Sequence, residues 1–253
     1  MMNKNLVTVI TPNYNGEKFL ETSIKSVINQ SHKEFEYILI DGNSTDNSIN
    51  ILNDYKNYFK KLVIEKDNGI YDAVEKGIKL AKGEIIIWIN SDDVLHEDAV
   101  KNVLTIFRNK PSLNWITGIN GYIKYGFSFF GIPYIYPNFI LKNGFARHDL
   151  WGYLQQESTS FKKSLFLKSK GFGPKPSIAG DYKLWTQFAM YSNLETYNIK
   201  IGRFRTWPGQ DSQVKIKEYQ TIDLDKKDPR LLSITDSKTK KGHAMIEDKK
   251  EKA

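Results

Sequence analysis

Two aspartates, Asp92 and Asp93, stand side by side in the stretch "EIIIWINSDDVL" (84–95), directly after an apolar run that reads as a buried strand. Adjacent carboxylates repel, and a fold that needed only stability gains nothing by pairing them. Backbone fixed by a buried strand would hold both acids rigidly, with Asn90 and Ser91 leading into them. Hard oxygen ligands held in this way suit Mg2+ or Mn2+, which take one or two protein carboxylates and fill the rest of the shell with water and substrate phosphates. The plain alternative is capping by Ser91, Asp92 or Asp93 of a helix starting near Glu97. Two more acids, Asp41 and Asp67, follow other apolar runs of the same half. Their convergence favours a site over a set of caps.

The elements that must position these acids alternate. "LVTVIT" (6–11), "FEYILID" (35–41), "LVIE" (62–65) and "EIIIWIN" (84–90) read as strands. Between them, 16–30 puts Phe19, Leu20, Ser23, Ile24 and Val27 on one helical face. A second helix is expected after a cap at Ser44, Thr45 or Asp46. A third is expected over 69–83, closed by Gly83, and a fourth over 96–109. Strand and helix alternating at these lengths imply an α/β fold with a mainly parallel sheet covered on both faces. Ligands of such sheets bind beyond the carboxyl ends of the strands. Those ends are Thr11–Asn15, Asp41–Ser44, Lys66–Asn68 and Asn90–Asp93, all polar.

The chain has 253 residues with a formal charge of +8 and no cysteine. Disulfide scaffolds, thiolate metal sites and thiol nucleophiles are excluded. A basic balance suits anionic partners, but the basic residues are spread along the chain, so no nucleic-acid partner is expected. The beginning shows no apolar leader and no apolar run reaches the ~20 residues of a membrane span, so a cytoplasmic protein is expected. Residues 116–141 hold eight tyrosines and phenylalanines with Lys124 as the one charge, broken by Gly126, Gly131, Pro133 and Pro137. Two readings stay open: core over the acceptor side of the sheet, or partial exposure in a lipid interface. Helical patterns are expected in "TSFKKSLFLKSKG" and "GDYKLWTQFAMYSN", and a polar tail over 223–253. His32, His96, His148 and His243 are scattered and carry no ligand role.

Taken in order, "TPNYN" (11–15), "YILIDGNSTDNS" (37–48), "EKDNGIYDAVEKGI" (65–78) and "WINSDDVL" (88–95) resemble the nucleotide-sugar half of a family 2 glycosyltransferase of the GT-A fold. "QQESTSF" (155–161), "AGDYKLW" (179–185) and "GRFRTWPGQDS" (202–212) resemble the acceptor half of its bacterial polysaccharide branch, which includes enzymes of the colanic acid type. The resemblance runs from about residue 6 to 220. It implies one domain over 1–222, with a nucleotide-sugar half to about 112 and an acceptor half after it, on a mixed, mostly parallel sheet.

The same resemblance implies roles. Thr11, Pro12, Tyr14 and Asn15 would line the base and ribose pocket. Asp41 would accept from the nucleobase edge, and Asp67 would lie near the base or ribose. Asn90, Ser91 and Asp92 would meet the donor, with Asp93 and Asp92 holding Mn2+ or Mg2+ and Arg205 clamping the diphosphate. Gln156, Glu157 and Gly180 would meet the acceptor; from the residues alone, Gln156 and Glu157 read equally as a solvated turn. Asp181 would be the general base and also cap its helix. The partners implied are a nucleotide-diphosphate sugar and a glycan or polyprenyl-linked glycan, with peripheral contact to the inner membrane in surface polysaccharide synthesis. Departures from the family are Glu75 for a frequent Asn, Lys183 and Gly180 for frequent acids, and Trp207 for a frequent His. The last leaves a metal held mainly by one aspartate and the phosphates. A sugar-phosphate nucleotidyltransferase would open with a glycine-rich basic loop, which "TPNYNGEKF" is not. A non-catalytic nucleotide-sugar binding protein would have no use for Asp181.

Overall fold

The computed structural model describes residues 3–146, 151–173, 179–208 and 210. The expectations for the tail, His148, His243 and the end of the last motif, Asp211 and Ser212, lie outside them. The first half runs β1 (Asn3–Asn13), α1 (Glu17–Ile28), β2 (Phe35–Asp41), α2 (Ser48–Asp54), β3 (Lys61–Ile64), α3 (Ile70–Leu80), β4 (Gly83–Trp88), β5 (Val94–Leu95) and α4 (Ala99–Asn109). The second runs β6 (Trp115–Ile119), β7 (Gly121–Lys124), β8 (Phe127–Phe130), α5 (Asn138–Lys142), β9 (Thr159–Lys162), α6 (Lys163–Lys168), α7 (Gly180–Tyr191), β10 (Glu195–Lys200) and β11 (Gly202–Thr206).

Seven strands form the main sheet in the order β10-β6-β9-β4-β1-β2-β3. The expected parallel core β3-β2-β1-β4 is present, and β9 enters antiparallel between β4 and β6. Alternation along the strands sorts the core into two layers. Val7, Val9, Leu39, Ile85 and Ile87 face α1, α2 and α4. Ile10, Ile38, Ile40, Ile86 and Trp88 face α3, α5, α6 and α7, where Trp115, Phe161, Trp185 and Phe188 stack and cross. A second sheet, β5-β11-β7-β8, stands beside the carboxyl ends of the first.

Several expectations are corrected. The pattern "TSFKKSLFLKSKG" is a strand followed by a helix, because Ser160 and Phe161 fill the slot between β4 and β6. Gly83 opens β4 instead of closing α3, since a Cβ there would lie 2.6 Å from the Leu6 carbonyl oxygen. The end of α3 is satisfied by Lys163 Nζ, which donates to the Lys79 and Ala81 carbonyls at 3.2 and 2.7 Å. The second helix begins at Ser48, with Asp46 Oδ1 accepting from the Ser48 N–H at 2.9 Å. Ser91, Asp92 and Asp93 cap nothing: β5 intervenes, and α4 begins only at Ala99 with Asp98 at its N-cap position. Asp181 lies inside the first turn of α7, whose N-cap position is Ala179, so it is not the cap residue. The core reading of 116–141 fails for its middle: Tyr125, Phe127, Phe129, Ile132, Tyr134 and Ile135 are exposed, while Tyr136, Ile140 and Leu141 are buried.

Helix α3 rides close on β1 because residue 77 is glycine. A Cβ there would sit 2.5 Å from Ile10 Cγ2. Gly77→Val should therefore lower stability by about 1–3 kcal/mol through overpacking, measured by urea unfolding. An unchanged midpoint would mean that α3 shifts off the sheet without cost.

Candidate active site

The ends of β1 and β2 are locked together. Asp41 has no solvent exposure. Its carboxylate accepts from Asn13 Nδ2 at 2.7 Å, the Ser44 backbone N–H at 2.8 Å and the Ser44 hydroxyl at 2.7 Å. Asn15, at φ 49°, ties the same loops: its N–H donates to Ser44 Oγ at 2.9 Å and its Oδ1 accepts from the Thr45 N–H at 2.8 Å. Asp41 thus orders the loop and presents no exposed oxygen, a correction of the direct nucleobase contact expected for it. Thr11 and Pro12 are likewise buried, with Thr11 Oγ1 accepting from Tyr37 Oη at 3.3 Å. The open surface here is made by others. A Cβ built on Gly42 would lie 2.9 Å from Asp67 Oδ2 and 3.2 Å from Tyr14 Cδ2. Glycine at 42 therefore lets a partly buried carboxylate and an exposed ring close on the backbone, where no side chain would fit.

At the end of β4, Asn90 Oδ1 accepts from Trp88 Nε1 at 2.8 Å, and a Cβ on Gly16 would meet Ser91 Oγ at 2.9 Å. The two aspartates part company. Asp92 is partly exposed, and its Oδ2 accepts from Trp207 Nε1 at 3.0 Å and Gln210 Nε2 at 3.2 Å. Asp93 is fully buried; its Oδ1 accepts from the Arg205 N–H at 2.8 Å and its Oδ2 has no partner. Arg205 also donates Nε to the Asp92 carbonyl at 2.7 Å, and its guanidinium lies 4.5 Å from the Phe19 ring. β11 is placed for this by pairing with β5 and β7.

Residues 156–158 form a buried 3-10 turn, so the solvated-turn reading fails. Gln156 donates Nε2 to the Trp88 carbonyl and braces β4. Glu157 is 4% exposed. Burial first, then the charges of Asp181 and Asp92, push its carboxyl up to about 7. Asp93 is raised well above the usual range by burial, then by Glu157 and Asp92. Asp92 is raised by burial, against the Trp207 and Gln210 hydrogen bonds. Asp181 is raised by burial, against the backbone around Tyr182 and the Tyr71 hydroxyl, which donates at 3.3 Å. Glu157 thus lies within reach of Asp181, Asp92 and Asp93, although these acids come from three separate stretches of chain. Gly180 is needed beside them, since a Cβ would fall 2.9 Å from the Tyr71 ring; an acid there would push Tyr71 off Asp181.

Among the described residues no group of three or more His, Cys, Asp or Glu could hold a metal ion. Asp92 has an exposed side and Asp93 an unpartnered buried oxygen behind it. Such a donor set fits a divalent ion that takes most of its ligands from phosphates and water, not a protein cage. Trp207, at the position of a frequent His, offers only an N–H and spends it on Asp92.

Tyr71 and Asn13 were not singled out from the sequence, and Ser44 only as a candidate helix cap. Tyr71 shares a helical face with Val74 and Ile78 and reads as core. Asn13 and Ser44 lie inside quoted motifs, but only the pairing of β1 with β2 shows that both serve Asp41.

Glu157 gives a pH test. With its carboxyl raised, the native state holds a proton that the unfolded chain releases near pH ~4.3. Stability from this group is therefore complete below that pH and lost as pH rises through about 7. In chelator, Glu157→Gln should flatten the fall between pH 5 and 8 by on the order of 2–3 kcal/mol, read by urea unfolding. An unchanged slope would show that Glu157 is charged in the native state at neutral pH.

The family profile of Glycosyl transferase family 2 matches residues 8–164. The chain is 31% identical over 205 residues to the poly(ribitol-phosphate) beta-N-acetylglucosaminyltransferase TarP of Staphylococcus aureus, covering 77% of this chain and 60% of that one. It is 26% identical to chondroitin synthase of Escherichia coli over 85% of this chain and 31% of that one. The chain thus spans three fifths or less of the length of these relatives. Its backbone is similar to S. aureus TarS in complex with UDP-GlcNAc, at a TM-score of 0.65 and 17% identity over 81% of this chain and 59% of that one. A mannosyltransferase from Pyrobaculum calidifontis, in complex with GDP-Man and Mn2+, gives a TM-score of 0.62 at 19% identity over 85% and 61%. The fold is the GT-A type. With more than half of its length matched by the family profile, the chain belongs to glycosyl transferase family 2.

Proposed function

We propose that this domain transfers a sugar, with inversion, from a nucleoside-diphosphate donor to a hydroxyl of a glycan acceptor carried on a lipid in bacterial surface polysaccharide synthesis. The observation that carries the proposal is the placing of Asp181, raised by burial and touched by Tyr71, beside Glu157, whose carboxyl both Asp181 and Asp92 push up. The names of the relatives support a nucleotide-sugar donor and a polymeric acceptor.

Tyr14 stacks on the base, and Asp67, which lies beside it at Gly42, accepts from the base or ribose. Asp41, Asn13 and Ser44 keep that wall rigid. Arg205, fixed by both aspartates of the pair, holds the diphosphate in place. Asp181 removes the proton of the acceptor hydroxyl as its oxygen attacks the anomeric carbon; the bond to the diphosphate oxygen breaks on the opposite face and the diphosphate leaves. A raised pKa makes Asp181 a stronger base than an exposed carboxylate. Tyr71 orients it, and Glu157 with Gly180 closes the acceptor side. Asp92, backed by Asp93, is the residue that would hold Mn2+ or Mg2+. The ion, when bound, supplies charge compensation for the leaving diphosphate.

Asp181→Asn keeps shape and removes the base. Donor binding should stay near wild type while turnover falls by ~10²-fold or more. Unchanged turnover would place the base elsewhere. Asp92→Ala should abolish the Mn2+-dependent rise in melting temperature that a nucleoside diphosphate gives the wild type, with far-UV circular dichroism unchanged. Full transfer in excess chelator would remove the metal from the proposal.

A further inference from the structure

The second sheet ends in a hairpin whose outer residues are aromatic. β7 and β8 pair with Tyr122 opposite Phe129 and Lys124 opposite Phe127. These four side chains share one face. The Tyr122 and Phe129 rings stack at 5.4 Å, and Phe127 is 76% exposed. The turn is Tyr125–Gly126, with φ 51° and 81°. Tight hairpin turns at positive φ take Asn, Asp or Gly first; a bulky side chain there is an outlier for local stability. Tyr125 nevertheless stands there, 86% exposed. Beyond β8, Ile132 is 79% and Ile135 74% exposed. Looseness does not explain this exposure, because the Gly131 N–H donates to the Asn120 carbonyl at 2.8 Å and Thr196 Oγ1 to the Tyr134 carbonyl at 3.0 Å.

Cations flank this hairpin on both faces. Lys124 Nζ lies 5.3 Å from the Tyr125 ring at the tip, and Lys200 Nζ and the Arg203 guanidinium lie 5.1 and 5.6 Å from the Phe130 ring at the base, on the opposite face. The described residues place no carboxylate in an ion pair with any of the three. Aromatic rings at the tip with unneutralised lysines at its edge and base match the two layers of an anionic bilayer surface, apolar boundary and phosphate headgroups. The hairpin is also wired to the site: β7 pairs with β11 so that Ile123 is opposite Arg205, the residue bonded to both Asp92 and Asp93.

We propose that the β7–β8 hairpin, with Ile132 and Ile135, docks into the interface of an anionic membrane and holds the acceptor side of the site against it. No described helix is long and apolar enough to cross a membrane, so the contact is interfacial. The inference deepens the lipid-carried acceptor proposed above, but its test needs neither donor nor acceptor.

Full-length chain is floated with vesicles of phosphatidylglycerol and phosphatidylcholine, and with phosphatidylcholine alone, at low and high salt. Expected is binding to the anionic vesicles that weakens in high salt. Phe127→Ser/Ile132→Ser should weaken it about tenfold or more, and Lys124→Gln/Lys200→Gln about fivefold per lysine at low salt. Thermal stabilisation by a nucleoside diphosphate should be the same in all three proteins, which separates loss of docking from loss of the donor site. Absence of flotation by the wild type overturns the proposal. So does flotation that neither double variant weakens. Reversible self-association that the Phe127→Ser/Ile132→Ser change abolishes, without vesicle binding, assigns the patch to a second copy of the chain and overturns it as well.

Discussion

A carboxylate without solvent sits at the centre of the site. Asp93 is placed by β4, which is buried on both faces, and it receives one backbone N–H from Arg205 while its other oxygen goes unpaired. Burying an unpaired charge is expensive, and a carboxyl so placed keeps its proton or acquires a counter-charge. Much of the neighbouring structure follows from that constraint. β11 must approach to deliver its N–H, which requires a second sheet beside the first. Glycine is required at 202, where a Cβ would lie 2.4 Å from the Glu157 carbonyl oxygen. Glu157, buried against the same point, is driven to about 7. The site is held in an electrostatically costly state by a well-packed frame, as preorganised sites are.

The ends of β1 and β2 follow a different logic. Asp41 is fully satisfied by Asn13 and Ser44, and Asn15 bonds the same loop. These bonds commit the polar side chains to rigidity and leave the Tyr14 ring and the Asp67 carboxylate, which close on Gly42, as the accessible groups of this edge. Rigid walls reduce the entropy lost on binding. The opposite wall is aromatic: Tyr71 packs against Phe172 and Trp88 while presenting its hydroxyl to Asp181. One residue thus links the hydrophobic layer beneath α3 and α7 to the orientation of the base.

The two sheets divide the work. The main sheet fixes the acids at its carboxyl ends. The small one carries Arg205 on one strand and the exposed hairpin on its neighbours, so any load on the hairpin acts two strands or fewer from the residue bonded to both Asp92 and Asp93.

The sequence alone determined the parallel half. Period-two apolar runs broken by period-3.6 helices leave one way to bury both faces of β1, β2 and β4, and that arrangement carries Asp41, Asp67, Asp92 and Asp93 to one edge. Local signals failed where a partner decided. "TSF" became a strand because the slot between β4 and β6 was open to it. Gly83 went to β4 because the Leu6 carbonyl leaves no room for a side chain. The roles within the acid cluster were likewise hidden: Asp92 and Asp93 are neighbours with equal chemistry, yet only one reaches solvent. Glu157 read equally as a contact to the acceptor or part of a solvated turn, and only the burial of that turn decided its surroundings. Burial, and with it protonation, is a property of what surrounds a residue. Residues distant in the chain supply those surroundings, so only the tertiary structure decided them.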